Sequence, residues 1–142
     1  MRFLAVVFLL LVISSCNEDE DLNSSSCDEA IVCTLDFRSI VVSLRDTDAN
    51  PIALDSFQVF IKNSNEDITI ETSADEMNGF REQGVYPIFN DSFRARYQNR
   101  EETIIFNGMI DGQQVISREF IVGADCCHVG LIEGELSIIL DN

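Results

Sequence analysis

Hydrophobic and polar residues alternate along most of the chain from residue 37 onward, with a period of two rather than the 3.6 of a helix. Such alternation places successive side chains on opposite faces of a strand, and clusters of turn-forming residues separate the alternating stretches. The pattern predicts an all-β fold, a β-sandwich of seven to eight strands. The strands predicted from regular alternation cover about 37–45, 57–62, 68–72, 85–89, 103–110, 113–122, 126–132 and 136–140. The alternation over 93–98 is less regular and indicates one more strand in addition to these.

Three local features refine this pattern. Asp111-Gly112 lies between two alternating runs and is typical of a type I′ hairpin turn. Pro87 has no backbone N–H, which predicts an edge or bulged position for its strand. Residues 73–84 form the longest polar stretch and are expected to be a loop around Phe80, and we expect no amphipathic helix in the chain.

The N-terminus has a different layout. Arg2 precedes eleven apolar residues (3–13), two serines and Cys16, an arrangement typical of a secretory signal peptide. The apolar run is shorter than the roughly 20 residues that a permanent membrane span needs. The ending Ile13-Ser14-Ser15-Cys16 resembles the bacterial lipobox. That resemblance implies cleavage after residue 15 and acylation of Cys16; the alternative is an ordinary exported protein with an incidental cysteine.

The next segment, residues 16–26, is predicted to be a lipidated, acidic, flexible tether. It carries four consecutive acids over 18–21 and then small polar residues, which neither pack nor form regular structure readily. The acids are either a soluble spacer or an export tag, since they resemble the acidic stretch after the lipidated cysteine in surface lipoproteins of some double-membraned bacteria. We therefore expect an outer-membrane anchor with surface exposure, and a single β-sandwich domain over 27–142.

Four cysteines remain in that domain: Cys27, Cys33, Cys126 and Cys127. An even number of cysteines in an exported chain favours disulfides, because thiols there are not kept reduced. Pairing Cys126 with its neighbour would strain the intervening peptide, so we expect either of the two pairings that join the first two cysteines to the last two. A metal site at the Cys-Cys-His segment ending in His128 is the alternative, although it lacks the usual zinc spacing.

Asp46, Asp48 and Asn50 have the spacing that begins a calcium-binding loop. An EF-hand is excluded because Pro51 and Phe57 stand where that motif needs Gly and Glu. A looser calcium site in the acidic loops remains an alternative to a plain turn. The formal charge of −16 excludes nucleic acid as a partner, and loss of Arg2 with the signal peptide would move it to −17.

The turn over 46–51, the strand at Phe57 and Gly84-Val85-Tyr86 together resemble transthyretin-like and carboxypeptidase-regulatory-like modules. That resemblance implies an immunoglobulin-like sandwich that serves as a spacer or accessory domain. The chain departs from these modules at Ala49-Asn50, where they carry glycine.

The sequence contains no G-x-S-x-G nucleophile motif and no glycine-rich phosphate loop, so we expect neither catalysis nor a cofactor. The predicted function is that of an envelope lipoprotein held on the lipid bilayer through acylated Cys16. Its body would be a non-catalytic structural or binding module with a protein or glycan partner. The alternative is an accessory lipoprotein that binds a small ligand or a metal through acidic loops or the Cys-Cys-His segment.

Overall fold

The computed structural model describes Cys27 and residues 31–141, and the predicted signal peptide and tether lie outside this range. Over the described residues the chain forms seven strands in two sheets, which confirms the all-β prediction. In chain order the strands are β1 (Ser39–Asp46), β2 (Ser56–Ile61), β3 (Val85–Asn90), β4 (Glu101–Ile110), β5 (Gln113–Ala124), β6 (Val129–Glu133) and β7 (Ser137–Leu140).

One sheet has the order β3-β1-β7 and the other the order β2-β4-β5-β6. All neighbouring strands are antiparallel except β1 and β7, which are parallel. Alternate residues of each sheet belong to one buried cluster, as expected when two sheets pack face to face. The largest fully buried side chains are Tyr86, Phe89, Phe106, Phe120, Leu44, Leu54, Ile88, Ile104, Val42, Val59 and Val122.

The hydroxyl of buried Tyr86 fixes the connection between β1 and β2 to this core. It donates a hydrogen bond to the Ile52 carbonyl (2.8 Å) and accepts one from the Leu54 N–H (2.7 Å). Burial raises the pKa of Tyr86 above its ordinary value. The phenol therefore remains a donor and satisfies two backbone groups that water does not reach.

The hairpin and the edge strand agree with the sequence predictions. Asp111 and Gly112 both have positive φ, 51° and 71°, as a type I′ turn requires. Pro87 lies in β3, at the edge of its sheet, and the β1–β3 register shifts between Ile40 and Val41. The missing N–H of the proline is tolerated there because the edge strand has a neighbour on only one side.

The prediction of a loop over residues 73–84 is wrong, because Ala74–Gln83 forms a helix, α1. Ser73 and Glu76 form a reciprocal capping box at its start, and Gly84 ends it with a φ of 60°. Part of this helix packs on the core through Met77 and Phe80, so Phe80 is not a loop residue. No helix among the described residues is long and apolar enough to cross a membrane.

Two predicted strands are also absent. Residues 93–98 instead contribute to a 3-10 turn (Asp91–Phe93) and a short helix, α2 (Arg94–Tyr97). The helical path lets Phe93 stack on Phe89 (ring centroids 4.9 Å apart) and brings Tyr97 to 5.3 Å from the same ring. Residues 68–72 form no strand. An isolated bridge joins the neighbouring Asp67 to Phe60, and the Ile68 N–H donates to the Val59 carbonyl at 2.8 Å.

Candidate functional site

Two disulfides join the start of the domain to the loop between β5 and β6. Cys27 is bonded to Cys126 and Cys33 to Cys127, with Cα–Cα distances of 5.3 and 5.2 Å. The prediction of disulfides is confirmed, and this is one of the two pairings that the sequence left open. Cys27 and residues 31–38 are referred to below as the N-terminal arm. Its contacts with the rest of the chain form the candidate site.

Asp125 shapes the loop that carries the two adjacent cysteines. Its Oδ1 accepts hydrogen bonds from the N–H groups of Cys127 and His128, both at 2.7 Å, and its own N–H donates to the His128 carbonyl. The N–H donors of His128 and Cys127 lower the pKa of Asp125. An ionised carboxylate thus closes a tight turn that separates the two sulfur atoms and presents both to the arm.

His128 is buried, with 6% of its surface exposed, and lies between the arm and the body. Its Nδ1 is 2.8 Å from Asp91 Oδ2, and its Nε2 is 2.8 Å from the Thr34 hydroxyl oxygen. An ionised carboxylate only accepts, so Nδ1 carries the hydrogen in the pair with Asp91. The imidazole therefore links a residue of the arm to the turn that follows β3.

Asp91 binds the arm a second time. Its Oδ2 also accepts a hydrogen bond from the Arg38 N–H and its Oδ1 accepts one from the Val129 N–H, both at 2.8 Å. The Asp91 N–H donates in turn to the Arg38 carbonyl. Burial works against ionisation of Asp91, but the hydrogen bonds from Arg38, His128 and Val129 outweigh it and lower the pKa of the carboxyl. One carboxylate thus connects the arm, the 3-10 turn and β6.

The outer side of this cluster is exposed. The hydroxyl of Thr34 and then the guanidinium of Arg38 lower the pKa of Asp36, whose side chain is 54% exposed. Asp36 lies 3.3 Å from the guanidinium of Arg38 and 3.8 Å from His128 Nε2. An ion pair this exposed adds little stability, so Asp91 rather than Asp36 holds the arm in place.

An open cavity of about 410 Å³ lies beside His128. Its wall combines apolar side chains with charged residues of both signs, namely Leu131, Ile132, Arg38, Arg100, Glu101 and Asp125. The Arg94 guanidinium donates to the Cys126 carbonyl at 2.8 Å. This end of the domain therefore carries arginines and apolar residues side by side.

The other candidate residues do not belong to this cluster. Cys16 lies outside the described residues. Asp46 Oδ1 accepts from the N–H groups of Asp48 and Asn50, and its Oδ2 accepts from the Asn50 amide, which lowers the pKa of Asp46. The three residues form a self-contained turn. No group of three or more His, Cys, Asp or Glu side chains suited to a metal occurs among the residues placed in the structure.

Sequence reasoning identified the cysteines and singled out His128, but not its partners Thr34 and Asp91. Asp91 stands in the turn-forming run Asn90-Asp91-Ser92, which indicates a turn and no contact with residues 34 or 128. Asp91 is 37 residues from His128 along the chain, and Thr34 is 94 residues from it. Only the folded topology brings these three side chains together.

Comparison with models of known protein families, with curated proteins and with solved structures finds no match to this chain. The functional interpretation therefore depends on the sequence features and on the geometry of the described residues.

Proposed function

We propose that this protein is an envelope lipoprotein, anchored through acylated Cys16, whose body is a non-catalytic structural or binding module. The observation that carries the proposal is the pair of disulfides that attach the N-terminal arm to the β5–β6 loop. Stable disulfides are typical of proteins that work outside the reducing cytosol. The disulfides agree with the signal-peptide layout of residues 1–15, which is a separate indication that the chain is exported.

The position of the disulfides suits a domain held by its N-terminus. Force applied along a tether that ends at Cys27 passes through the bond to Cys126 and into the loop beside β6. The second bond, at Cys33, shields the five residues 34–38 that precede the start of β1 at Ser39. A pull on the anchor is therefore borne by covalent bonds and does not peel β1 from its sheet.

The same proposal includes a more specific fold, an immunoglobulin-like or transthyretin-like sandwich. Seven strands in sheets of three and four strands are compatible with an immunoglobulin-like or transthyretin-like sandwich. Such sandwiches serve many unrelated functions, so the assignment supports a spacer or binding role without naming a ligand. The partner of this module would be a protein or a glycan. The acidic run at 18–21 would be the tag that directs the lipoprotein to the cell surface.

The series Thr34–His128–Asp91 resembles the hydroxyl, imidazole and carboxylate by which hydrolases activate a nucleophile. We assign it a structural role. Acyl transfer needs N–H donors directed at a developing oxyanion. Around this cluster, the N–H groups of Arg38 and Val129 donate to Asp91, and those of Cys127 and His128 donate to Asp125. The N–H groups of Asp91 and Asp125 donate to backbone carbonyls, so these six donors are already in use.

Labelling with radioactive palmitate tests the proposed anchor. The wild-type protein is expected to take up label and to sediment with membranes, whereas Cys16→Ser should lose both properties because it has no thiol to acylate. Cys27→Ser is the matched control: it removes a cysteine eleven residues further on and should keep the label. Equal labelling of Cys16→Ser and wild type, or no labelling of either, would exclude the anchor.

A further inference from the structure

The N-terminal arm exposes an unusual amount of apolar surface. Eight large hydrophobic residues are exposed in the described part of the chain, and four of them lie within residues 31–37. Val32 is 95% exposed, Leu35 104% and Phe37 65%; the fourth is Ile31. We refer to these four as the apolar arm residues. Exposed apolar residues concentrated in so short a segment indicate an interaction surface.

The arm is held so that these residues stay outside. Cys33 is bonded to Cys127 and Thr34 contacts His128, while the backbone of Arg38 pairs with Asp91. The residues between these attachment points are Leu35, Asp36 and Phe37, and the two apolar members are both exposed. An unattached segment could fold back and bury its apolar side chains. The bonds to the body prevent this and present the side chains to whatever lies beyond the domain.

The length of chain before the arm indicates which surface that is. Ten residues, 17–26, separate Cys16 from Cys27, and a chain of ten residues spans at most about 35 Å. If Cys16 is acylated, the end of the domain that carries the arm cannot move further than this from the bilayer. The apolar arm residues are therefore on the part of the domain that meets the membrane first.

Charge around the arm selects the kind of membrane. The acids at 18–21, exposed Asp36, and Glu101 and Asp125 of the cavity wall disfavour an anionic surface. Arg38, Arg94 and Arg100 supply cations at the same end of the domain. Mixed charges of this kind suit headgroups that carry both a phosphate and an amine. The apolar side chains can then enter the boundary between headgroups and acyl chains, as interfacial segments do.

We propose that the apolar arm residues dock on a zwitterionic phospholipid surface and orient the domain on the membrane to which Cys16 anchors it. This inference rests on the proposed lipid anchor. Acylation sets the distance from the bilayer, and the fixed arm sets which face of the domain touches it. A second shallow contact also makes the attachment more stable than the acyl chains alone.

A single-tryptophan experiment tests the docking, because the chain has no tryptophan of its own. The full-length gene carrying Leu35→Trp is expressed, and the acylated protein is reconstituted in phosphatidylcholine vesicles with a nitroxide near the top of the acyl chains. Val115→Trp is the matched control, since it is also an exposed hydrophobic position. It lies nine residues, or about 30 Å, along β5 from Ala124, which pairs with Val129 beside the arm site.

We expect the emission of Leu35→Trp to shift to the blue on reconstitution and to be quenched by the nitroxide at least about twofold more than that of Val115→Trp. Phe37→Trp should behave like Leu35→Trp. Equal spectra and equal quenching at residues 35 and 115 would overturn the docking. A blue shift without quenching would also overturn it, because protein, such as a second copy, would then cover the arm.

Palmitate uptake by the same samples separates the two proposals. Labelled protein with an unquenched residue 35 contradicts the docking and leaves the anchor standing. Unlabelled protein contradicts both, because the distance restriction that brings the arm to the bilayer is then gone.

Discussion

Replacing Cys27, Cys33, Cys126 and Cys127 together by serine is expected to lower the free energy of unfolding by about 7 kcal/mol. The first disulfide to form closes a loop of 94 or 99 residues, which removes roughly 4–5 kcal/mol of chain entropy from the unfolded state. A loss of this size is comparable to the whole stability of many domains, typically about 5–15 kcal/mol. Urea unfolding followed by circular dichroism measures it.

Each pair of serines alone should have a much smaller effect. Once one bond joins the arm to the β5–β6 loop, the other closes only a short additional ring, because Cys126 and Cys127 are adjacent and Cys27 and Cys33 are six residues apart. Cys27→Ser/Cys126→Ser and Cys33→Ser/Cys127→Ser should therefore each cost about 2–3 kcal/mol. Wild-type protein treated with reductant is the control for the fourfold variant. Two pair variants that each cost as much as the fourfold variant would contradict this pairing.

Replacing Asp91 by alanine is expected to lower the free energy of unfolding by about 3–5 kcal/mol. The substitution leaves the N–H groups of Arg38 and Val129, and Nδ1 of His128, without their acceptor in a site where the carboxyl side chain is only 10% exposed. Asp36→Ala is the matched control and should cost less than about 1 kcal/mol, because the Asp36–Arg38 pair is solvated. Equal effects of the two substitutions would contradict the role given to Asp91.

Acid should erase the contribution of Asp91. Its pKa is lowered in the folded protein, so the carboxylate stabilises the fold fully above the unfolded-state pKa of about 3.9. This stabilisation is lost as the pH falls through the lower, folded-state pKa. The difference in stability between wild type and Asp91→Asn should therefore be constant near neutral pH and shrink below about pH 4. A difference that grows in acid would contradict an ionised Asp91.

The β-strands were the most predictable part of the fold, because a period of two survives wherever one face of a sheet is buried. The hairpin at Asp111-Gly112 was also predictable, because the preference of Asp-Gly for a type I′ turn depends on these two residues alone. The helix α1 was missed although local signals were present: Ser73 and Glu76 have the spacing of a capping box, and Gly84 follows at the end. Its polar composition, with few apolar positions to set a period, favoured a loop.

The α2 error has a different cause. Phe93 and Tyr97 satisfy both the alternation of a strand and the four-residue spacing of a helix, and the sequence does not distinguish the two. Packing decides, because both rings contact Phe89 of β3. Tertiary contacts of this kind override a weak local pattern.

The only part of the candidate site that could be predicted was the disulfides, because cysteine pairing can be inferred without knowing the topology of the fold. The even number of cysteines in an exported chain predicted disulfides, and their adjacency at 126–127 predicted which segments they join. The exposed set at Ile31, Val32, Leu35 and Phe37 could not be anticipated, because the same residues in a strand would have had one buried face. Their exposure follows from how Cys33, Thr34 and Arg38 are attached to the body.

Intact mass spectrometry of the protein purified from envelopes, before and after reduction, tests the anchored and oxidised state most directly. We expect a chain that begins at Cys16, carries acyl groups, and gains four hydrogens when its two disulfides are reduced. A chain without acyl groups, or one whose mass does not change on reduction, would contradict the account.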